Sequence, residues 1–253
     1  MAQMGNWKRL LSNDHYAIVC VLGRVIALLT CCYTILLLTL NGIELVMNIP
    51  FWNVTALTAL LPYAVLLGTM LVQRKAYGIL LKNRRSLNAQ KMADGLKYLY
   101  YAGLAKVVWT LLFLMMWVTA LLTDPYFVSH FILSTGFPAQ MLAGELCMLL
   151  CLTVASIPRA FALRTIRKRV VEGKVCSPGW IRIGACAELL NVGGVLFMSL
   201  VLMIADGYLG GGIVMIVLCL PLMVYYLSCA VTYEDIYKML SSDDTGTTEP
   251  LSA

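Results

Sequence analysis

Six stretches of the chain run almost unbroken in apolar residues, and polar positions gather between them instead of alternating within them. They are about Tyr16–Leu40, Val54–Val72, Leu99–Leu122, Phe137–Ile157, Ile183–Ala205 and Ile213–Val231. Each runs about 18–25 residues, the length a helix needs to cross a ~30 Å hydrocarbon core. A surface helix of a soluble domain would show a polar face every few positions. The pattern therefore predicts an all-α integral membrane protein with six transmembrane helices. Composition agrees: 60% of the 253 residues are hydrophobic and 13% are charged, with mean hydropathy +0.82. Soluble domains carry about 25% charged residues.

The distribution of Lys and Arg predicts an orientation, because basic segments beside a span resist translocation. Seventeen of the nineteen basic residues fall on one side if the N-terminus is cytoplasmic. They include Arg74, Lys75, Lys82, Arg84 and Arg85 in the connection 73–98, and Arg159, Arg164, Arg167, Lys168 and Arg169 in the connection 158–182. The three opposite loops, about 41–53, 123–136 and 206–212, hold no Lys or Arg. The expected layout is three helical hairpins, N-in and C-in, in the plasma membrane. Residues 1–15 form a cytoplasmic segment ahead of an uncleaved signal anchor, and 241–253 an acidic disordered tail. The formal charge of +6 thus reflects loops facing lipid headgroups, and nucleic acid is not an expected partner.

Within the basic connections, Tyr77, Leu80 and Leu81 recur at helical spacing, as do Leu163, Ile166 and Val170. Short amphipathic helices at the membrane surface would place their cations on anionic lipid, or on a cytoplasmic protein. Start signals precede the odd-numbered spans at Ser12-Asn13-Asp14, Asp94-Gly95 and Ser177-Pro178. Nine residues after His15, Lys97 and Arg182 come Arg24, Lys106 and Asn191, which suggests a threefold hairpin repeat.

An ionisable side chain inside a span costs about 2.5–3.5 kcal/mol, so each needs a reason. Arg24 and Lys106 lie near the cytoplasmic ends of their helices, where long stems reach the headgroups. Glu188 and Asn191 share a helix face at i, i+3, and Glu188 is placed to pair with Arg24 or Lys106. Glu145 falls near the midplane, too deep for its short stem to reach water, with Gln140 and Gly144 beside it. Glu145, Glu188 and Asn191 are therefore the candidates for an intramembrane polar path, with Arg24 and Lys106 as charge partners.

No Gly-rich phosphate loop, H-E-x-x-H zinc motif or G-x-S-x-G elbow occurs. With only His15 and His130, a histidine-based catalytic or metal site is not expected. The nine cysteines, eight of them inside proposed spans, read as buried thiols. No cofactor or metal is expected, and an enzyme is disfavoured. The layout of six spans with two basic cytoplasmic connections resembles the permease subunits of some ABC exporters. The short outer loop between the fifth and sixth spans departs from their pattern. That resemblance implies cytoplasmic helices docked on a separate ATPase subunit. The leading expectation is a transporter or permease component, acting with such an ATPase or as a homo-oligomer. The alternative is a non-transporting scaffold or sensor that holds a cytoplasmic partner.

Overall fold

The structure, a computed structural model, describes residues 13–48, 54–86, 88–123, 139–174, 176–205 and 209–244. They form six helices: α1 (Asp14–Asn48), α2 (Val54–Ser86), α3 (Ala89–Thr123), α4 (Ala139–Ile166), α5 (Gly179–Ala205) and α6 (Leu209–Asp244). α4 continues directly into a π-helical turn, Arg167–Val171. Five helices hold segments long and apolar enough to cross a membrane: Asp14–Thr39, Leu60–Arg84, Ala89–Thr119, Leu146–Arg169 and Gly179–Val201. The sixth expected span, 213–231, falls within α6 and begins among side chains outside the described residues. The N-terminal segment before residue 13, most of the loop 123–136 and the tail beyond 244 also lie outside them.

Each helix packs on its neighbours in sequence, and α1 packs on α6, so the six close into a ring. Its exterior is apolar. α3 presents Tyr101, Leu104, Val108, Leu111, Met115, Val118 and Leu122 outward, and α4 presents Leu150, Val154 and Ile157. Polar residues sit inside. Thr34, Thr69, Thr153, Ser156, Ser199 and Thr232 are buried, and each hydroxyl donates to the carbonyl four residues earlier on its own helix. Such side chains need no water, which suits a bundle whose outside faces lipid.

The helices overrun the boundaries that hydropathy suggests. α2 extends to Ser86 and α4 to Ile166, so 73–86 and 158–166 belong to the long helices and do not form separate surface helices. Their apolar residues meet other helices instead of lipid. Tyr77, Leu80, Leu163 and Ile166 are buried in the largest core cluster with Met92, Leu96, Tyr225 and Ile236. α1 likewise runs on to Asn48, past the expected outer boundary near residue 40.

Local chemistry sets the ends at this basic side. Asn13 caps α1, its Oδ1 accepting from the His15 amide at 2.8 Å, and its Nδ2 donates to Asp235 of α6 at 3.0 Å. α3 starts earlier than Asp94-Gly95, at Ala89, because Asn88 Oδ1 caps the Lys91 amide at 3.1 Å. Buried Asn83 closes the α2–α3 turn by accepting from the Asn88 amide at 2.8 Å. The π-helical turn ends at Gly173, whose φ of 66° lies in the left-handed region that favours glycine.

Small residues let α4 and α5 approach closely, as membrane helices require when no water drives them together. Cβ atoms built on Gly184, Gly194 and Gly144 would lie 2.7 Å from Ala162 Cβ, 3.1 Å from Cys151 Cβ and 2.7 Å from Met198 Sδ. At Gly184 the obstacle is a Cβ fixed to a helix backbone, which no rotamer change can move. Gly184→Ala should therefore destabilise the detergent-solubilised protein by about 1–3 kcal/mol. Gly68→Ala, where nothing lies within 4 Å, should be neutral or stabilise by up to about 1 kcal/mol. Thermal unfolding of the two variants side by side checks both.

Candidate functional site

Near the basic end of the ring, side chains from all six helices surround one buried ion pair. Arg159 of α4 is 8% exposed and Glu188 of α5 is 0% exposed. Arg159 Nε lies 3.2 Å from Glu188 Oε1. Arg159 Nη2 donates to the Tyr77 hydroxyl of α2 at 3.2 Å, and also to the Tyr225 hydroxyl of α6. The two tyrosine hydroxyls are themselves hydrogen-bonded, and their rings meet edge to face with centroids 6.3 Å apart. The guanidinium also stands 5.4 Å from the Tyr225 ring centroid, a cation–π contact strengthened by the burial of both groups. On the far side of the carboxylate, Asn191 Nδ2 donates to Glu188 Oε2 at 3.3 Å.

α3 contributes Lys106, half-buried, its ammonium 6.0 Å from the Tyr226 ring centroid and within electrostatic reach of Arg159 and Glu188. α1 contributes Tyr16 and Cys20 to a cavity that Tyr77, Arg159, Cys229 and Tyr233 also line. The cavity measures about 50 Å³. A water needs roughly 10–15 Å³ on that measure, so the space is large enough for a few waters, though its lining is mostly apolar. The group holds two cations against one carboxylate, with phenol donors arranged round them. Asn191 Oδ1 is buried without a hydrogen-bond partner among the described residues, so an acceptor stands ready for a donor from water or solute.

The structure therefore brings Glu188, Asn191 and Lys106 together, and supplies Glu188 with a partner that the sequence did not suggest. Arg159, grouped by sequence with the basic surface, is an interior residue. Its angular position on the helix is the reason. Arg159 lies on the α4 face that carries Ser156, Leu163 and Ile166, all buried. Arg164 and Lys168 fall about 140° and 180° round the helix from it, at 3.6 residues per turn, in phase with Leu150, Val154 and Ile157. Arg24 is exposed on the outside of α1, apart from the cluster. Glu145 belongs to α4, and its side chain lies outside the described residues.

The remaining basic positions stay towards the surface. Lys75 stands 4.9 Å from the Tyr98 ring, Arg84 pairs with Asp14 at 3.3 Å, Lys82 is exposed, and Arg74 and Arg169 are half-buried. The Arg85 side chain lies outside the described residues. Sequence reasoning missed Tyr225 and gave Tyr77 to the membrane surface. The available signal was phase: Tyr225, Cys229, Thr232, Ile236 and Leu240 recur at helical spacing and all face inward. Among the described residues no group of three His, Cys, Asp or Glu is placed to hold a metal ion. No protein-family model, curated protein or solved structure matches the chain.

Removing one member of a buried ion pair strands the other, at about 3–5 kcal/mol, whereas replacing both with apolar residues is often close to neutral. Arg159→Met and Glu188→Leu should each destabilise the protein on that scale. The double variant should lose clearly less than the sum of the two. A double-mutant cycle on detergent unfolding measures the difference, and additive losses would mean that the two side chains do not act as a pair.

Proposed function

We propose that the chain is a six-span protein of the plasma membrane, N-in and C-in, that works as a transporter or permease component. The reading rests chiefly on one observation: charged and phenolic side chains gather round a buried ion pair and the small cavity beside it, inside a bundle whose exterior is apolar. Ionisable groups held at such cost inside a membrane bundle typically mark a substrate or ion path. In this reading Glu188 and Asn191 line the path, and the Arg159–Glu188 pair is its closed gate. Lys106 gives the cluster its second cation, so the site favours an anionic or electron-rich cargo. Glu145 would continue the path deeper along α4. Charge asymmetry supports the orientation, because the basic residues cluster at the end where α1, α3 and α5 begin. The exposed cations at that end, among them Lys82, Lys91 and Lys97, would be the face for a separate ATPase subunit.

The second reading, a scaffold or sensor that transports nothing, draws on the tightness of the same site. A cavity of about 50 Å³ has no room for a solute larger than a few waters, and Glu188 is wholly buried. The two readings differ in whether the cluster opens. Cys229 lines the cavity and is 3% exposed. In a variant that keeps Cys229 as its sole cysteine, a membrane-impermeant methanethiosulfonate should label it in native membranes far faster than the protein unfolds. Labelling no faster than global unfolding would reject a gated path and favour the static scaffold.

A further inference from the structure

Where α3 faces the π-helical turn, Tyr100, Tyr101, Arg164, Arg167, Lys168 and Glu172 line an open pocket of about 320 Å³, separate from the buried cluster. Three cations face it against one carboxylate. Glu172 pairs with Arg167 at 3.1 Å and with Lys174 at 2.9 Å. The hydrogen bond from Lys174 is the main reason its carboxyl stays below the usual range, with Arg167 and Lys168 adding to the effect. Lys174 thus offsets the carboxylate from outside the pocket. Arg164 and Lys168 have no carboxylate within ion-pair distance among the described residues. Cations near a helix C-terminus also complement its dipole. That effect alone would not set them opposite two tyrosines around an open space.

What lies beside the pocket suggests its occupant. Arg164 on α4 and Lys168 in the π-helical turn continue the outward stripe of Leu150, Val154 and Ile157 by steps of one or two helical turns. On α3, Tyr101 heads the outward stripe that runs through Leu104 and Val108 to Leu122. α3 and α4 are neighbours, and α3 also packs on the π-helical turn. Two apolar stripes therefore rise side by side and end at one cationic pocket. This is the polarity of an amphiphile, with apolar chains and an anionic head.

We propose that this pocket binds the phosphate headgroup of an anionic phospholipid whose acyl chains lie in the furrow between α3 and α4. Arg164, Arg167 and Lys168 hold the phosphate, and the tyrosine hydroxyls donate to its oxygens. Inorganic phosphate shares the headgroup chemistry but makes no use of the furrow. The site requires the bundle to sit in a membrane, and does not depend on whether the protein transports anything.

Native mass spectrometry of the purified full chain in mild detergent tests this with three probes: phosphatidylglycerol, phosphatidylcholine and inorganic phosphate. Phosphatidylglycerol should bind at least tenfold more tightly than phosphatidylcholine, and inorganic phosphate should not displace it. Arg164→Gln and Lys168→Gln should each weaken phosphatidylglycerol about fivefold, as expected for about 1 kcal/mol per cation beside an anionic lipid surface. Glu172→Gln should tighten it, a gain that a misfolded variant cannot mimic. Equal binding of the two lipids would overturn the site, as would unchanged affinity in all three variants. Displacement by inorganic phosphate would overturn the assignment to lipid.

Discussion

A guanidinium and a carboxylate taken out of water each lose several kcal/mol of hydration, and their mutual attraction restores this only when the remaining donors and lone pairs are also satisfied. Arg159 and Glu188 meet much of that condition by recruiting other helices, although Glu188 Oε1 has the ion pair and no hydrogen bond. The guanidinium uses Nε on Glu188, Nη2 on the hydroxyls of Tyr77 and Tyr225, and its face on the Tyr225 ring. The second carboxylate oxygen takes Asn191 Nδ2. One charged residue on α4 thereby fixes the level at which α2, α5 and α6 meet it. The close α4–α5 contact at Gly184 and Ala162 supports the same arrangement, since the pair bridges those two helices.

The long apolar helices were legible because an unbroken run of about 20 apolar residues suits a membrane span and little else. Glu188 and Asn191 were legible as a unit because i, i+3 spacing on a helix is local geometry. The partner of Glu188 was not, because which helices adjoin depends on ring closure, and no local pattern encodes it. Lys106 and Asn191 lie in the cluster while Arg24, their counterpart in the suggested repeat, points outward. Equivalent sequence positions therefore have unlike surroundings in the ring.

The connections 73–98 and 158–182 were misjudged for a different reason. Averaged over a window, their many cations hide the apolar residues between them. The helical spacing of Tyr77 with Leu80 and of Leu163 with Ile166 was visible, and a stripe of that kind states only that one face is covered. Lipid and a neighbouring helix leave the same mark on a sequence. In the structure the cover is protein, since Leu80 lies against Gly95 of α3 and Leu163 lines the central cavity. Long helices reaching past the apolar spans thus build the largest core where hydropathy indicates loops.

α4 shows most directly what phase adds to composition. Arg159 and Arg164 are the same residue type, five positions apart in one helix, yet one is 8% exposed and the other faces outward. A rotation of about 140° separates them. Counting basic residues assigns both to the surface, and as a guide to depth it serves, because either position lies at the same end of the bundle. It fails for chemistry, where an inward arginine must be neutralised by the protein and an outward one by lipid or solvent. Neighbours one or two turns away distinguish them: Ser156 and Leu163 for Arg159, Ile157 and Lys168 for Arg164. Charges in a membrane helix therefore need to be read round the helix as well as along it, since the position along it gives depth and the angle decides the partner.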